Sequence, residues 1–400
     1  MSPRPTVAVL AAHWGSGTEQ DWCTRQIAGA LACAADVHVI TPERGGPEPV
    51  VDSVFSLHQL DTPLDPFAEL RRDLLVEGIS ATVAQPERLS RDAVTNLLDR
   101  DLIQPWARAT PVLADLRPDL VVTAGHLQVG ALAAVDAYDR EVPVVLLVLG
   151  SALERVAFPR FRPMYDRARS VLTVTRGEHD AVVAQLGRPD SVYQVGVPLA
   201  ANPGARSEPD LFVGDAEYVL VLTGVDSASD HPAASQARLL RTAVTDRPVA
   251  VVHDDGLFVW HQGRVRKGLP VERSSDLARL MAWARMTVDL NPGHLFARRS
   301  VESLLYGTPI VVPDDSRARE HAERGRGGLW FANPPELLWC VEAVFDAATR
   351  ASLGAQGQAY AEREFGSTDR FIEKVTAGCG LPPPTATSSS SDAPAVAGSS

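Results

Sequence analysis

Arg298, Arg299 and Glu302 follow closely on the turn-forming triplet Asn291-Pro292-Gly293, and that order suits the binding of an anion. Val288 to Leu290 reads as a short buried strand. Pro292 fixes φ and Gly293 permits a positive one, so the chain turns there. Arg298 to Tyr306 then reads as a helix, with Ser300 or a residue just before it as cap and Glu302 in the first turn. Val301, Leu304 and Leu305 face inward, Gly307 and Pro309 end the helix, and Ile310 to Val312 forms the next strand. A strand, loop and helix in this order aim backbone N–H groups and the positive end of the helix at an anion, and the two arginines add to that field. A solvated helix start is the bland alternative. Two further sites sit after strands. His126 follows Leu120 to Thr123, and the loop Gly15-Ser16-Gly17 follows Thr6 to Ala12. Open α/β sheets expose ligand-binding side chains at the carboxyl ends of their strands.

These groups need a scaffold, and the rest of the sequence supplies an α/β one. Valine- and isoleucine-rich runs alternate with helical stretches: Val37 to Ile40, Val142 to Leu149 and Ser170 to Val174 in the first half, Tyr218 to Thr223 and Pro248 to His253 in the second. Between Ile40 and Leu120 lies a long insert with helical apolar spacing over Pro66 to Glu77 and Arg88 to Leu116. With 400 residues, two domains are expected, with a boundary in the Pro- and Gly-rich stretch Pro198 to Asp210. A net charge of −12 argues against a nucleic-acid partner, which needs a dense basic face. There is no apolar run of about 18 residues and no basic segment followed by a signal core near Met1, so a cytoplasmic location is expected. Cys23, Cys33, Cys340 and Cys379 show no metal-like spacing and read as free thiols. No metal site is expected. Asp254-Asp255 and Asp314-Asp315 read as solvated turns, and Thr175 with Glu178 as a helix capping box. Residues 381–400, rich in Ser, Pro and Ala, are expected to be disordered.

Several segments in order resemble the retaining GT-B glycosyltransferases of the family-4 type, across residues 5 to 378. Val301-Glu302-Ser303-Leu304-Leu305-Tyr306-Gly307-Thr308-Pro309-Ile310-Val311-Val312 is similar to the family's E-A-x-x-x-G-x-P-V-V segment. Arg319-Glu320-His321, Gly327 to Phe331 and Pro335-Glu336-Leu337 resemble a second family stretch, Tyr360 to Lys374 its closing helix, and Gly196-Val197-Pro198 its interdomain segment. The resemblance implies an α/β fold of GT-B type, two Rossmann-like domains facing a central cleft. Their implied bounds are 1–200 for the acceptor side and 208–358 for the nucleotide-sugar side, with a helix over 359–378 crossing back. It further implies a nucleotide sugar as co-substrate, no other cofactor, and metal-independent transfer of a hexose with retention. The acceptor, whether glycan, lipid or small molecule, is left open. Glu302 would hold the ribose, Arg298, Arg299 and Ser300 the diphosphate, and His294 and Gly224 would lie at the donor. His126 would be the active-site histidine, with Gly15, Ser16 and Gly17 at the sugar and acceptor. The cleft would close on the donor.

This chain departs from that pattern twice. Relatives usually carry an acidic residue eight positions before the ribose glutamate, where His294 stands here. They also place an arginine and a lysine after the strand that Tyr218 to Thr223 would form, where Gly224 is followed by Val225-Asp226-Ser227-Ala228-Ser229-Asp230. Arg298 and Arg299 are then the replacement cations. A GT-B protein that no longer catalyses transfer, and binds a nucleotide, glycan or partner enzyme, is the alternative. Gly15-Ser16-Gly17 fits a dinucleotide fingerprint poorly, because its third glycine position is Gln20. Membrane-surface contact through Arg71-Arg72 competes with a simple solvated face.

Overall fold

The computed structural model describes residues 4–12, 14, 19–42, 54–60, 106–124, 129–138, 140–149, 166–201, 218–223, 232–244, 247–253, 256–261, 264–267, 274–291 and 296–383. Two compact units emerge: one takes Met1–Val197 and resumes at Thr368, the other takes Pro198–Ser367.

The described strands of the first unit are β1 (Thr6–Ala11), β2 (Asp36–Thr41), β3 (Ser56–Gln59), β4 (Leu120–Ala124), β5 (Val144–Val148), β6 (Ser170–Thr173) and β7 (Val192–Gln194). They form one sheet in the order β3-β2-β1-β4-β5-β6-β7, parallel throughout. Strand order reverses between β1 and β4, whose last residues Ala11 and Ala124 pair. A doubly wound sheet takes ligands at such a switch point. Its strands are apolar on both faces because helices cover both: α1 (Glu19–Ala32), α2 (Ala109–Leu116), α3 (Val129–Asp136) and α4 (Arg176–Leu186). Thr175 caps α4 through a capping box: its hydroxyl accepts from the Glu178 N–H at 3.2 Å, and the Glu178 carboxylate accepts from the Thr175 and Val174 N–H groups.

The second unit holds β8 (Val219–Leu222), β9 (Val249–His253), β10 (Gly256–His261), β11 (Arg264–Lys267), β12 (Met286–Asp289), β13 (Ile310–Pro313) and β14 (Gly328–Phe331). Their order is β11-β10-β9-β8-β12-β13-β14. Five strands are parallel, while β10 and β11 fold back as an antiparallel edge. Alternate residues of β8 serve opposite cores. Val219 and Val221 pack with α5 (Pro232–Ala243) and α9 (Pro334–Phe345), whereas Leu220 and Leu222, with Tyr218 just before the strand, pack with α6 (Ser274–Trp283).

α7 (Arg298–Leu305), α8 (Ala318–Gly325) and α10 (Ala347–Phe365) complete this unit. The single closing helix expected over 359–378 is two helices, because the chain breaks at Gly366-Ser367 before α11 (Thr368–Cys379) begins. α11 belongs to the first unit, where the Ser170 hydroxyl donates to the Gly378 carbonyl. All four cysteines are free thiols, although Cys33 lies one residue past the end of α1. The expected helix over Pro66 to Glu77, most of the one over Arg88 to Leu116, Asp254-Asp255 and the tail from residue 384 lie outside the described residues.

Candidate functional site

β12 enters the sheet as a fully buried run, and its last residue is charged. Asp289 is 2% exposed and pairs in register with Leu222, so it stands at the carboxyl edge where the order of the second sheet reverses between β8 and β12. A carboxylate there needs hydrogen bonds. Ser300 donates its hydroxyl to Asp289 Oδ2 at 2.6 Å, and the Asn291 N–H donates to Oδ1 at 3.2 Å. Three residues along α7, Ser303 donates to Thr287 Oγ1 at 2.7 Å. Two hydroxyls on one helix face thus stitch α7 to alternate residues of β12. Replacing Ser300 by alanine would leave Asp289 Oδ2 without that partner. We expect a loss of about 1–3 kcal/mol in urea unfolding, near zero when Asp289 is already alanine.

α7 starts at Arg298 as expected, but its cap differs from the expected one. Neither Ser300 nor any other side chain caps it; Ala297 is the cap residue, in the left-handed region at φ 56, and α7 begins at Arg298. Ser300 is therefore the third helical residue with its hydroxyl committed to Asp289, and Glu302 lies beyond the first turn. Spacing then decides the partners of Glu302. Arg298 Nε donates to its Oε1 at 2.7 Å from four residues back, and Arg299 Nη1 to its Oε2 at 2.8 Å from three. The side chains are 24%, 30% and 12% exposed for Arg298, Arg299 and Glu302.

Burial pushes the Glu302 carboxyl up, and the charges and hydrogen bonds of Arg299 and Arg298 more than offset it, so it titrates below the ordinary carboxylate range. A folded-state pKa below the unfolded one contributes stability above the unfolded value, about 4.3, and loses it as pH falls through the folded value. The stability gap between wild type and Glu302→Gln is therefore expected to be constant from pH 7 to about 5.5 and to shrink below about 4.3, read by denaturation at each pH.

Two guanidinium groups occupy one lone-pair position on each carboxylate oxygen, and a carboxylate offers about four. Glu302 is thus held ionised and oriented with acceptor capacity left for hydroxyl groups. Beside it lies the amino end of a helix without a side-chain cap, a setting that favours an anion.

Of the residues singled out by the sequence, Arg298, Arg299, Ser300 and Glu302 come together on α7; Gly15, Ser16, Gly17, His126, Gly224 and His294 lie outside the described residues. Asp289 had no assigned role. Its signal is a carboxylate ending an otherwise buried strand. Near the switch point of the first unit, α1 carries Asp21 and Arg25 as a buried ion pair, 3.3 Å apart, and Trp14 packs edge-on to Phe55. Asp314 is a half-buried turn residue beside Arg319, and Asp315 next to it is exposed. Among the described residues no group of three His, Cys, Asp or Glu could hold a metal ion, and no helix is long and apolar enough to cross a membrane.

No protein-family model matches the chain, and no curated protein matches it. Solved structures do resemble it. CalG4, the calicheamicin glycosyltransferase, is 18% identical with a TM-score of 0.56, covering 95% of this chain and 99% of its own. HepE from Anabaena, solved in complex with UDP and glucose, is 14% identical with a TM-score of 0.59, covering 93% and 98%. Sucrose-phosphate synthase from Thermosynechococcus elongatus is 14% identical with a TM-score of 0.60, covering 92% and 97%. With two parallel-sheet α/β units, this likeness makes the fold GT-B. At such identities it speaks for the fold alone.

Proposed function

We propose that the protein is a glycosyltransferase moving a hexose from a nucleotide sugar to an acceptor, metal-independent and retaining. The observation that carries this reading is the Arg298–Glu302–Arg299 clamp on α7, beside the switch point of a GT-B nucleotide-type unit. Glu302 accepts the ribose hydroxyls. The start of α7 with its arginines meets the diphosphate, where negative charge grows as the bond to the sugar carbon breaks; donors preset at that place lower the barrier. The sequence resemblance adds His126 as catalytic histidine, Gly15, Ser16 and Gly17 at the sugar and acceptor, and His294 and Gly224 at the donor. Retention, hexose, cytoplasmic location and metal independence rest on that sequence reading, as does a GT-B layout of acceptor-side and donor-side domains.

The test is calorimetric titration with UDP, GDP, ADP and TDP. Saturable binding of one of them, followed by transfer from its sugar conjugate that survives EDTA and keeps the anomeric configuration by NMR, is the expected result. Binding by none of the four sinks the reading. Doubly replacing Arg298 and Arg299 by alanine is expected to weaken the bound nucleotide by at least about a hundredfold, since two charge-assisted contacts are each worth about 1.5–3 kcal/mol. Unchanged affinity would remove the arginines from the diphosphate.

A second reading has its own support. Arg298 and Arg299 against Asp289 and Glu302 sum to zero charge, and the sequence after β8 carries aspartates where relatives carry cations. A nucleotide-binding GT-B protein without turnover would show the titration and no transfer.

A further inference from the structure

A helix that begins on an alanine at positive φ needs something to hold it there. Outside glycine, the left-handed region costs about 1–2 kcal/mol, and the alanine side chain recovers none of it. Ala297 is nevertheless buried at φ 56, and its carbonyl accepts the Val301 N–H at 3.2 Å as the first turn of α7 closes. The residue before it is fixed from two sides. The ring of Phe296 is buried and lies against that of Phe365, with centroids 6.4 Å apart. Its carbonyl is 2.7 Å from Nε2 of His321.

A carbonyl only accepts, so Nε2 carries a proton, and Nδ1 lies within hydrogen-bond distance of the Tyr360 hydroxyl, at 3.0 Å. His321 is wholly buried and edge-on to Phe365. Burial, reinforced by the charges of Glu320 and Glu364, pushes the Tyr360 phenol well above its ordinary range, which keeps it an O–H donor. Tyr360 on α10, His321 on α8 and Phe296 before α7 therefore form one hydrogen-bonded chain ending at the peptide that enters α7.

We infer that His321 is a positioning residue: by holding the Phe296 carbonyl it sets the direction of the first turn of α7, and with it the Arg298–Glu302–Arg299 clamp. Its consequence for a nucleoside diphosphate rests on the donor-site reading above; its consequence for the helix start does not. A glutamine side chain at 321 can still present an N–H near the Nε2 position, while leucine fills the space without a donor.

The experiment compares wild type, His321→Gln and His321→Leu. Amide hydrogen exchange over Phe296–Val301 is expected to quicken by about tenfold in His321→Leu relative to β12, and to stay within about threefold of wild type in His321→Gln. Unchanged exchange, or equal quickening in β12, overturns the inference. If one nucleoside diphosphate binds the wild type, its affinity should fall by about tenfold in His321→Leu and be rescued in His321→Gln. Lost protection with unchanged affinity would confine His321 to the fold and overturn its role at the site. If the wild type binds none of UDP, GDP, ADP and TDP, the glycosyl-transfer reading fails, and the exchange arm alone decides whether His321 positions α7.

Discussion

Replacing Glu302 by alanine is expected to abolish nucleotide binding and to cost about 1–3 kcal/mol of stability in the same variant. The two losses have different causes. Stability falls because Arg298 and Arg299, about a quarter to a third exposed, lose the carboxylate that both contact. A fully buried charge left unpaired costs about 3–5 kcal/mol, and partial solvent access lowers that. Binding falls because the acceptor for the sugar hydroxyls is gone and the guanidinium groups are no longer held by a common partner. Glu302→Gln separates the two: it keeps an acceptor and the shape while removing the charge, so stability should fall while weakened binding survives. The variants are compared by urea unfolding and by titration with whichever nucleotide binds the wild type. Full affinity in Glu302→Ala would move the ribose elsewhere.

The second large effect concerns the helix packed behind the clamp. α10 runs along α7, and glycines bring them close. A Cβ built on Gly354 would sit inside van der Waals contact of the Gly307 carbonyl oxygen, and one on Gly357 would lie 2.6 Å from Leu304 Cδ2 and 2.9 Å from Gly327 Cα. The Leu304 methyl can rotate away. The Gly307 carbonyl cannot easily follow, since Gly307 itself sits at φ 73 between α7 and β13. Gly354→Ala is therefore expected to destabilise by about 2 kcal/mol despite the gain of about 1 kcal/mol that alanine offers inside a helix. Gly29 on α1 is the control. Its added Cβ would meet nothing within 4 Å, so Gly29→Ala should stabilise by about 0.5–1 kcal/mol. Opposite signs at two helical glycines, read from thermal or urea unfolding, separate packing from propensity.

Much of the scaffold is legible in the sequence, for a physical reason. Central parallel strands are buried on both faces, so TVAVLA, VVLLV and IVVP stand out as apolar runs. Strands at the sheet margins carry weaker signals: the edge strand RVRK and its neighbour GLFVWH mix aromatic, basic and small residues, and the sequence reading contains neither of them, nor the edge strands β3, β7 and β14. Within the site, the charge and spacing of Arg298, Arg299 and Glu302 were readable, whereas their commitment to one another depends on where α7 begins. The start at Arg298 was readable, but its cap was not. Capping preferences point to serine, and Ala297 holds the position because residues 24 and 63 further along the chain, His321 and Tyr360, secure its neighbour Phe296. Asp289 was not singled out, because the strand was read over Val288 to Leu290 and the partner of Asp289 lies on the next helix.

The membership of α11 in the first unit also has a consequence in time. During synthesis the residues that build β1 to β7 emerge first, yet the helix that packs on α1 and β6 is made only after the whole of Pro198–Ser367. At about 5–20 residues per second, those intervening residues take on the order of 10–30 s. Throughout that interval the nascent first unit has an apolar seat for Phe371, Val375 and Cys379 with nothing to fill it. The second unit, continuous in sequence, can fold meanwhile. The first unit is thus completed after the second, and chaperone demand should fall on the first unit.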